Sequence, residues 1–265
     1  MTETKEPNTL IWLDETDSTN TWAKAHLDKF GPVGAVYTTS QTAGRGRLGR
    51  QWVNANGQAL YYTAVLQIPL ADTAALSLYS SLAAARALRR HYGVDCRIKW
   101  PNDLLLHGKK IVGILCETVV QGHQVTALSG IGFNLAQPQG YFDAASLPHG
   151  TSLALQGAQV HLPEDAHALA RDLTAFGFDR ELYSFEREGF AACREEYKAL
   201  CVNLGRHVTF AGGSGTAVDI DEQGRLVVED DAGGDVHVFT GEVSVQGIYA
   251  VSYTHLRAHE TRRHL

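Results

Sequence analysis

The feature that most constrains this chain is a change of texture at Gly205. Upstream, apolar runs suited to strands alternate with amphipathic stretches at helical spacing. Downstream, HVTFAG, GTAVDIDEQG, RLVVEDDAGG and DVHVFTGEVSV follow closely on one another, each broken by Gly or Asp. Short strands separated by turn residues at that spacing describe a small barrel of about five strands. The order is therefore a mixed α/β part followed by an all-β part. No repeat or low-complexity linker intervenes, so the boundary near 201–205 is tight.

Within the first part, Leu10–Glu15 reads as a strand. Asp17 or Ser18 then caps a helix running to about Phe30, where Gly31 and Pro32 stop it. Ala35–Ser40 is a second strand, and LYYTAVLQI over Leu60–Ile68 is apolar enough for an interior one. Leu76, Tyr79, Ala83, Ala87 and Arg90 recur at helical spacing, which predicts a helix over Thr73–His91 closed by Gly93. Strands follow around Cys96–Lys99, Leu104–Leu106, Ile111–Val119 and Val125–Ile131, with His107-Gly108-Lys109 as a hairpin turn. Two further helices are predicted, over Pro163–Phe176 and about Arg180–Leu200.

Bulk properties remove several function classes. With 44% apolar and 20% charged residues, the composition is that of an ordinary globular chain. A net charge of −6 argues against a general polyanion binder, so any basic patch is local. No run reaches the ~18 apolar residues of a membrane helix. The polar, acidic start MTETKEPNTLIWLDE is unlike a signal peptide, and a cytoplasmic location is expected. Cys96, Cys116, Cys193 and Cys201 lie far apart with no C-x-x-C pair, which fits reduced core residues. Residues 252–265, SYTHLRAHETRRHL, lack apolar periodicity and read as a non-native tail.

The stretch QTAGRGRLGRQW, Gln41 to Trp52, carries the chemistry. Gly44, Gly46 and Gly49 spell G-x-G-x-x-G, which as a dinucleotide fingerprint should open a helix and meet an acidic residue ~20 positions on. Here a strand follows instead, and the nearest downstream acid is Asp72. The dinucleotide reading fails on context. What remains is a backbone that glycines allow to close tightly, carrying Arg45, Arg47 and Arg50, whose planar forks match carboxylate and phosphate oxygens. That describes a flexible lid over an anion.

Four segments in order, TDSTN (16–20), QTAGRGRLGR (41–50), KWPNDLLLHGKKIVGIL (99–115) and GIGFN (130–134), resemble the biotin–protein ligases, and a small β domain follows them as in that family. The resemblance spans about Leu10 to Val251. It implies an α+β fold: a mixed central β-sheet with flanking helices, a class II synthetase-like catalytic domain over 10–203, and a small C-terminal SH3-like β-barrel over 204–251. Residues 1–9 form a polar extension, too short for the DNA-binding domain that repressor-type members carry, so no DNA partner is expected. The implied reaction takes biotin and ATP with Mg²⁺ to biotinyl-5′-AMP, and a lysine of a biotin carboxyl carrier protein then takes the biotin. A homodimer through a sheet edge is compatible with the family; no membrane partner is expected.

The resemblance also assigns roles. Ser18, Thr19 and Asn20 lie on biotin, although a plain helix cap would use the same residue types. The Gln41 amide can both donate and accept, as a ureido group requires; a surface strand end is the alternative. Arg45, Gly46 and Arg47 are the lid over biotin and its adenylate. Arg50 and Trp52 face ATP, with a surface charge as the other reading of Arg50. Asn102 and Asp103, in a stock turn sequence, lie beside the nucleotide, with Asp103 as a Mg²⁺ contact. Lys110 bridges biotin carboxylate and α-phosphate while Lys109 points to solvent, because neighbours on a strand face opposite ways. Gly113, Gly130 and Gly132 permit close ligand approach, or mark a bulge, and Asn134 faces ATP. Catalysis then rests on Lys110, Arg47 and Arg45. A lipoate–protein ligase is the nearest rival, and a non-catalytic ligand-binding module the rival from another class.

Overall fold

The computed structural model describes residues 9–49, 51–122, 124–180, 189–239, 241 and 243–248. The chain begins with β1 (Thr9–Trp12), α1 (Thr19–Ala25) and β2 (Val33–Thr38). A two-strand hairpin, β3 (Gly44–Arg45) and β4 (Gln51–Trp52), precedes β5 (Ala59–Gln67) and α2 (Leu76–Tyr92). Then come β6 (Arg97–Lys99), β7 (Asp103–Leu106), β8 (Lys109–Gln121) and β9 (Gln124–Asn134). Short α3 (Gln139–Ala144), α4 (Glu164–Asp172) with a π-helical continuation Leu173–Arg180, and α5 (Arg194–Leu200) complete this part.

Seven strands pair in the order β1-β2-β5-β9-β8-β7-β6. Only β1 and β2 run parallel; every other neighbour is antiparallel. Alternation along β5 decides what each face holds. Leu60, Tyr62, Ala64 and Leu66 enter the main core with α2, α4 and the π-helical stretch. Tyr62 donates or accepts across to Thr174 Oγ1 at 3.0 Å and stacks on Phe178. Tyr61, Thr63 and Val65 point the other way, where α1 closes only part of the surface with Ala23 against Val36, Val65 and Leu128. The uncovered remainder of that face is where the lid and the candidate residues collect.

Several predicted elements are shorter than their patterns. The first helix stops at Ala25 and a 3₁₀ turn, Leu27–Lys29, replaces its last turns. There the His26 imidazole donates to Trp22 O at 2.8 Å, competing for the carbonyl that would continue the helix. The helix predicted from Thr73 begins at Leu76 after a 3₁₀ turn, and Gly93 ends it in the left-handed conformation as expected. At the predicted hairpin turn His107 and Gly108 have φ of 49° and 76°, the paired positive values of a type I′ turn. Of the last predicted helix only Arg194–Leu200 is α-helical, preceded by a 3₁₀ turn at Gly189–Cys193, while 181–188 lie outside the described residues. The tail at 252–265 and residues 1–8 of the extension also lie outside the described residues.

The C-terminal strands are β10 (His207–Phe210), β11 (Gly213–Ile220), β12 (Leu226–Asp230), β13 (Gly234–Val238) and β14 (Ser244–Val245). They form an antiparallel sheet ordered β13-β12-β11-β10-β14, with no pairing between its edges among the described residues. Its apolar side does not make a core of its own. Val208, Ala217, Leu226 and Val228 belong to the same cluster as Trp100 and Cys201. Trp100 Nε1 donates to Gly224 O at 3.0 Å, and Trp100 N to Asn203 Oδ1 at 2.8 Å. The tryptophan before the Pro-Asn-Asp turn thus ties the two parts together.

Candidate active site

The floor of the site is one transverse row of the large sheet. Register places Thr38 opposite Tyr61, Tyr61 opposite Gly132, Gly132 opposite Gly113, and Gly113 opposite Asp103. Two adjacent strands therefore present glycine at the same level, leaving a flat patch without side chains. The Trp52 indole lies across it. A Cβ on Gly113 would stand 2.5 Å from Trp52 Cζ3, and one on Gly132 would stand 3.1 Å from Cζ2. In the next row on the same face, Thr63, Gly130 and Leu115 align, and the Asn20 amide fills the space above Gly130.

Lys110 reaches this floor because of a bulge. Leu104 pairs with Val112 and Leu105 with Lys110, so Ile111 is an extra residue on β8. In a regular strand Lys110 and Gly113, three apart, would face opposite sides; the bulge puts both on the cavity. The backbone of Lys110 is held from outside the sheet: its N donates to His149 O at 2.7 Å and its O accepts from Thr151 N at 2.9 Å. Lys109 is exposed, as expected. The ammonium of Lys110 lies 2.5 Å from Asp103 Oδ1 and 5.6 Å from the Trp52 ring. That carboxylate oxygen is buried without a well-aligned hydrogen bond, so the pair is held by charge.

The lid is the turn of the β3–β4 hairpin. Arg47 donates from Nη1 to Asn102 Oδ1 at 2.9 Å and from Nη2 to Gly241 O at 3.1 Å. Asn102 is in turn fixed by donating to Ile114 O at 2.8 Å. Arg45 points elsewhere, its Nη2 2.8 Å from Glu117 Oε2. At the lid's other end Gln41 Oε1 accepts from Thr19 N at 2.9 Å and from Thr19 Oγ1, doing from across the chain what a helix cap does. Ser18 occupies the cap position but makes no side-chain cap bond. Thr63 Oγ1 joins this network to Asn20 Oδ1 at 2.6 Å.

Together these groups enclose a cavity of about 400 Å³, within the range of small-molecule sites. Ser18, Thr19, Asn20, Gln41, Arg45, Gly46, Arg47, Trp52, Asn102, Asp103, Lys110, Gly113, Gly130, Gly132 and Asn134 all line it. Arg50 lies outside the described residues. Sequence reasoning missed Tyr61, Tyr141, Phe142 and the 146–150 loop, which line the same space. Tyr61 and Tyr141 both donate to Val53 O, at 3.2 and 2.7 Å, and so hold the segment that follows the lid. Burial raises both phenols, that of Tyr141 to about 12, so they remain neutral donors. Phe142 rests against Gly150, where an added Cβ would meet its Cδ1 at 2.5 Å. A Pro-His-Gly turn signals a loop, but nothing local shows that it pairs with Lys110.

Three expectations meet a different arrangement. Asp103, expected at Mg²⁺, has its carboxylate against Lys110, and no group of three or more His, Cys, Asp or Glu side chains converges among the described residues. Among the described residues there is thus no protein cage for the ion; Mg²⁺ commonly keeps to phosphates and water. Arg45, expected to offset ligand charge, is neutralised by Glu117. The glycines at 113, 130 and 132 accommodate Trp52 and Asn20 directly.

Residues 12–134 match the biotin/lipoate A/B protein ligase family, and residues 204–246 match the biotin protein ligase C-terminal domain. The chain is 35% identical over 237 residues to a biotin–[acetyl-CoA-carboxylase] ligase of Paracoccus denitrificans, spanning 84% of this chain and 95% of that one. It is 30% identical over 232 residues to the bifunctional ligase/repressor BirA of Bacillus subtilis, across 84% of this chain and 70% of that protein. Its fold is similar to the Aquifex aeolicus biotin protein ligase solved in complex with biotin and ATP, with a TM-score of 0.69, 26% identity, and coverage of 90% and 98% of the two chains.

Proposed function

The chain belongs to the biotin protein ligase family, and from that premise we propose how its own residues divide the reaction. It activates biotin with MgATP to biotinyl-5′-AMP and pyrophosphate, then transfers biotin to a lysine of a biotin carboxyl carrier protein. In the first step a biotin carboxylate oxygen attacks the α-phosphorus, the bond to the bridging oxygen breaks, and pyrophosphate leaves. In the second, the neutral lysine amine attacks the acyl carbon, AMP leaves, and the amine's proton passes to solvent. The protein supplies no nucleophile in either step. Its work is to hold two anions together and to offset their charge.

Lys110 and Arg47 carry that work. The observation behind this is their convergence on one cavity of about 400 Å³, beside the glycine floor on which the Trp52 indole lies. A compact ammonium between carboxylate and α-phosphate cancels their repulsion, and Asp103 holds it ready. Arg47 spans from Asn102 to Gly241, between β13 and β14, and takes the phosphate side in this proposal. Trp52 and Asn134 take the adenosine side, while Ser18, Thr19, Asn20 and Gln41 make the polar end for biotin. Mg²⁺ arrives on the triphosphate as part of the substrate. The same proposal takes 10–203 as a class II synthetase-like domain, 204–251 as an SH3-like barrel, and the cytoplasm as the setting.

Incubation with radiolabelled biotin, MgATP and a purified carrier domain tests this directly. The expected result is label on one carrier lysine, resistant to denaturation. Binding of biotin without transfer would favour the non-catalytic module. Transfer of lipoate in preference to biotin would move the chain to the neighbouring branch of its family.

A further inference from the structure

Glu117 takes no part in the roles assigned above, yet it joins two groups that do. It lies on β8 four residues beyond Gly113, on the same face of the sheet. Its Oε2 accepts from Arg45 Nη2 at 2.8 Å and from Asn20 Nδ2 at 2.8 Å. Asn20 is buried at 4% exposure; its Nδ2 also donates to Leu115 O at 3.2 Å, and its Oδ1 leads through Thr63 and Thr19 to Gln41. Gln41 begins the lid segment and Arg45 lies within it. The hydrogen bonds thus form a circuit that leaves the lid at one end and returns to it at the other. Glu117 is the link between the buried part of that circuit and the arginine.

We propose that Glu117 is a positioning residue that fastens the lid shut through Arg45, setting how long the adenylate stays bound. Arg45 is then a fastener, while Arg47 and Lys110 line the same cavity from its other side. This rests on the reading that the lid covers biotinyl-adenylate. The clamp is partly open to water, with side-chain exposures of 46% for Arg45 and 24% for Glu117. Such a pair alone contributes up to about fivefold in an equilibrium. The added charge-assisted bond to buried Asn20 raises the expected effect to about three- to tenfold.

The test uses the full chain as wild type, Glu117→Gln, Arg45→Gln and the double variant. Each is loaded with radiolabelled biotin and MgATP, and adenylate escape is followed against excess unlabelled biotin. Escape is expected to be about three- to tenfold faster in each single variant, with no further gain in the double, because both remove one interaction. Wild-type escape should quicken more steeply with added salt than that of Glu117→Gln, which keeps only the contacts to the ligand's own charge. Escape from Glu117→Gln at the wild-type rate, or two effects that multiply, would overturn the clamp while leaving the ligase reading intact. A wild type that forms no adenylate would sink the ligase reading itself. Should Glu117→Gln fail to fold, Arg45→Gln, changed in the exposed lid, together with the wild-type salt dependence decides the matter: retention by that variant and a salt-independent wild type both count against the clamp.

Discussion

The two faces of the large sheet are built from the same strands and do opposite things. On one, Tyr62, Ala64 and Leu66 of β5 meet α2, where Leu76, Tyr79, Leu82 and Ala83 are buried. On the other, the level that would carry side chains from β8 and β9 carries Gly113 and Gly132 instead, and an aromatic ring from the lid lies there. The first face is filled with apolar volume; the second is kept bare and ringed with charge. A strand's alternation allows one element to serve both ends, because residues one apart never compete for the same space.

The contrast is sharpest at Lys110 and Arg47. Replacing either with Ala should slow adenylate formation by about 10²–10³, the usual loss for one charge-stabilising group. Pyrophosphate release from both variants at the wild-type rate would remove these residues from the mechanism. Next come the floor glycines. Gly113→Ala places a Cβ 2.5 Å from Trp52, whereas Gly132→Ala places one at 3.1 Å. Overpacking of the first kind costs about 1–3 kcal/mol, so Gly113→Ala should lose about tenfold in adenylate formation and Gly132→Ala clearly less. An inverted ranking would mean that Trp52 leaves the floor in the working enzyme.

A change on the filled face should do the reverse. Leu82→Ala, at a side chain with 0% exposure, should lower stability by about 2–5 kcal/mol and leave the rate per folded molecule unaltered; denaturant titration beside pyrophosphate assays separates the two. The smallest effect is expected at the thiols. Burial pushes Cys96 to about 12 and Cys116, Cys193 and Cys201 to about 11. The thiolate is the reactive form, so all four should resist alkylation at pH 8 in the native protein and react once it is unfolded. Rapid native labelling of any one would show that its surroundings are more open than described.

Local pattern made the elements legible: the α2 periodicity, the His107-Gly108 turn and the five C-terminal strands all follow from side-chain spacing and turn residues. The lid was legible from residue types, since its glycines and arginines announce anion chemistry, whereas Lys110, Asn102 and Asp103 were picked out by the family resemblance. Their partners were not. That Arg45 meets Glu117 and Arg47 meets Asn102 and Gly241 depends on contacts between segments far apart in the chain.

By itself, then, the sequence determined most of the strands and the α2 helix and which stretches carry charge, because each of those is a property of neighbouring residues. Only the tertiary structure decided that Lys110 and Gly113 share a face, since the Ile111 bulge arises from pairing with β7. It alone decided that the C-terminal sheet shares the main core through Trp100, and that Gly241, between β13 and β14, hands a carbonyl to the lid. Spacing along a chain is local, whereas the partner of a charge is chosen by what the fold brings within about 3 Å of it.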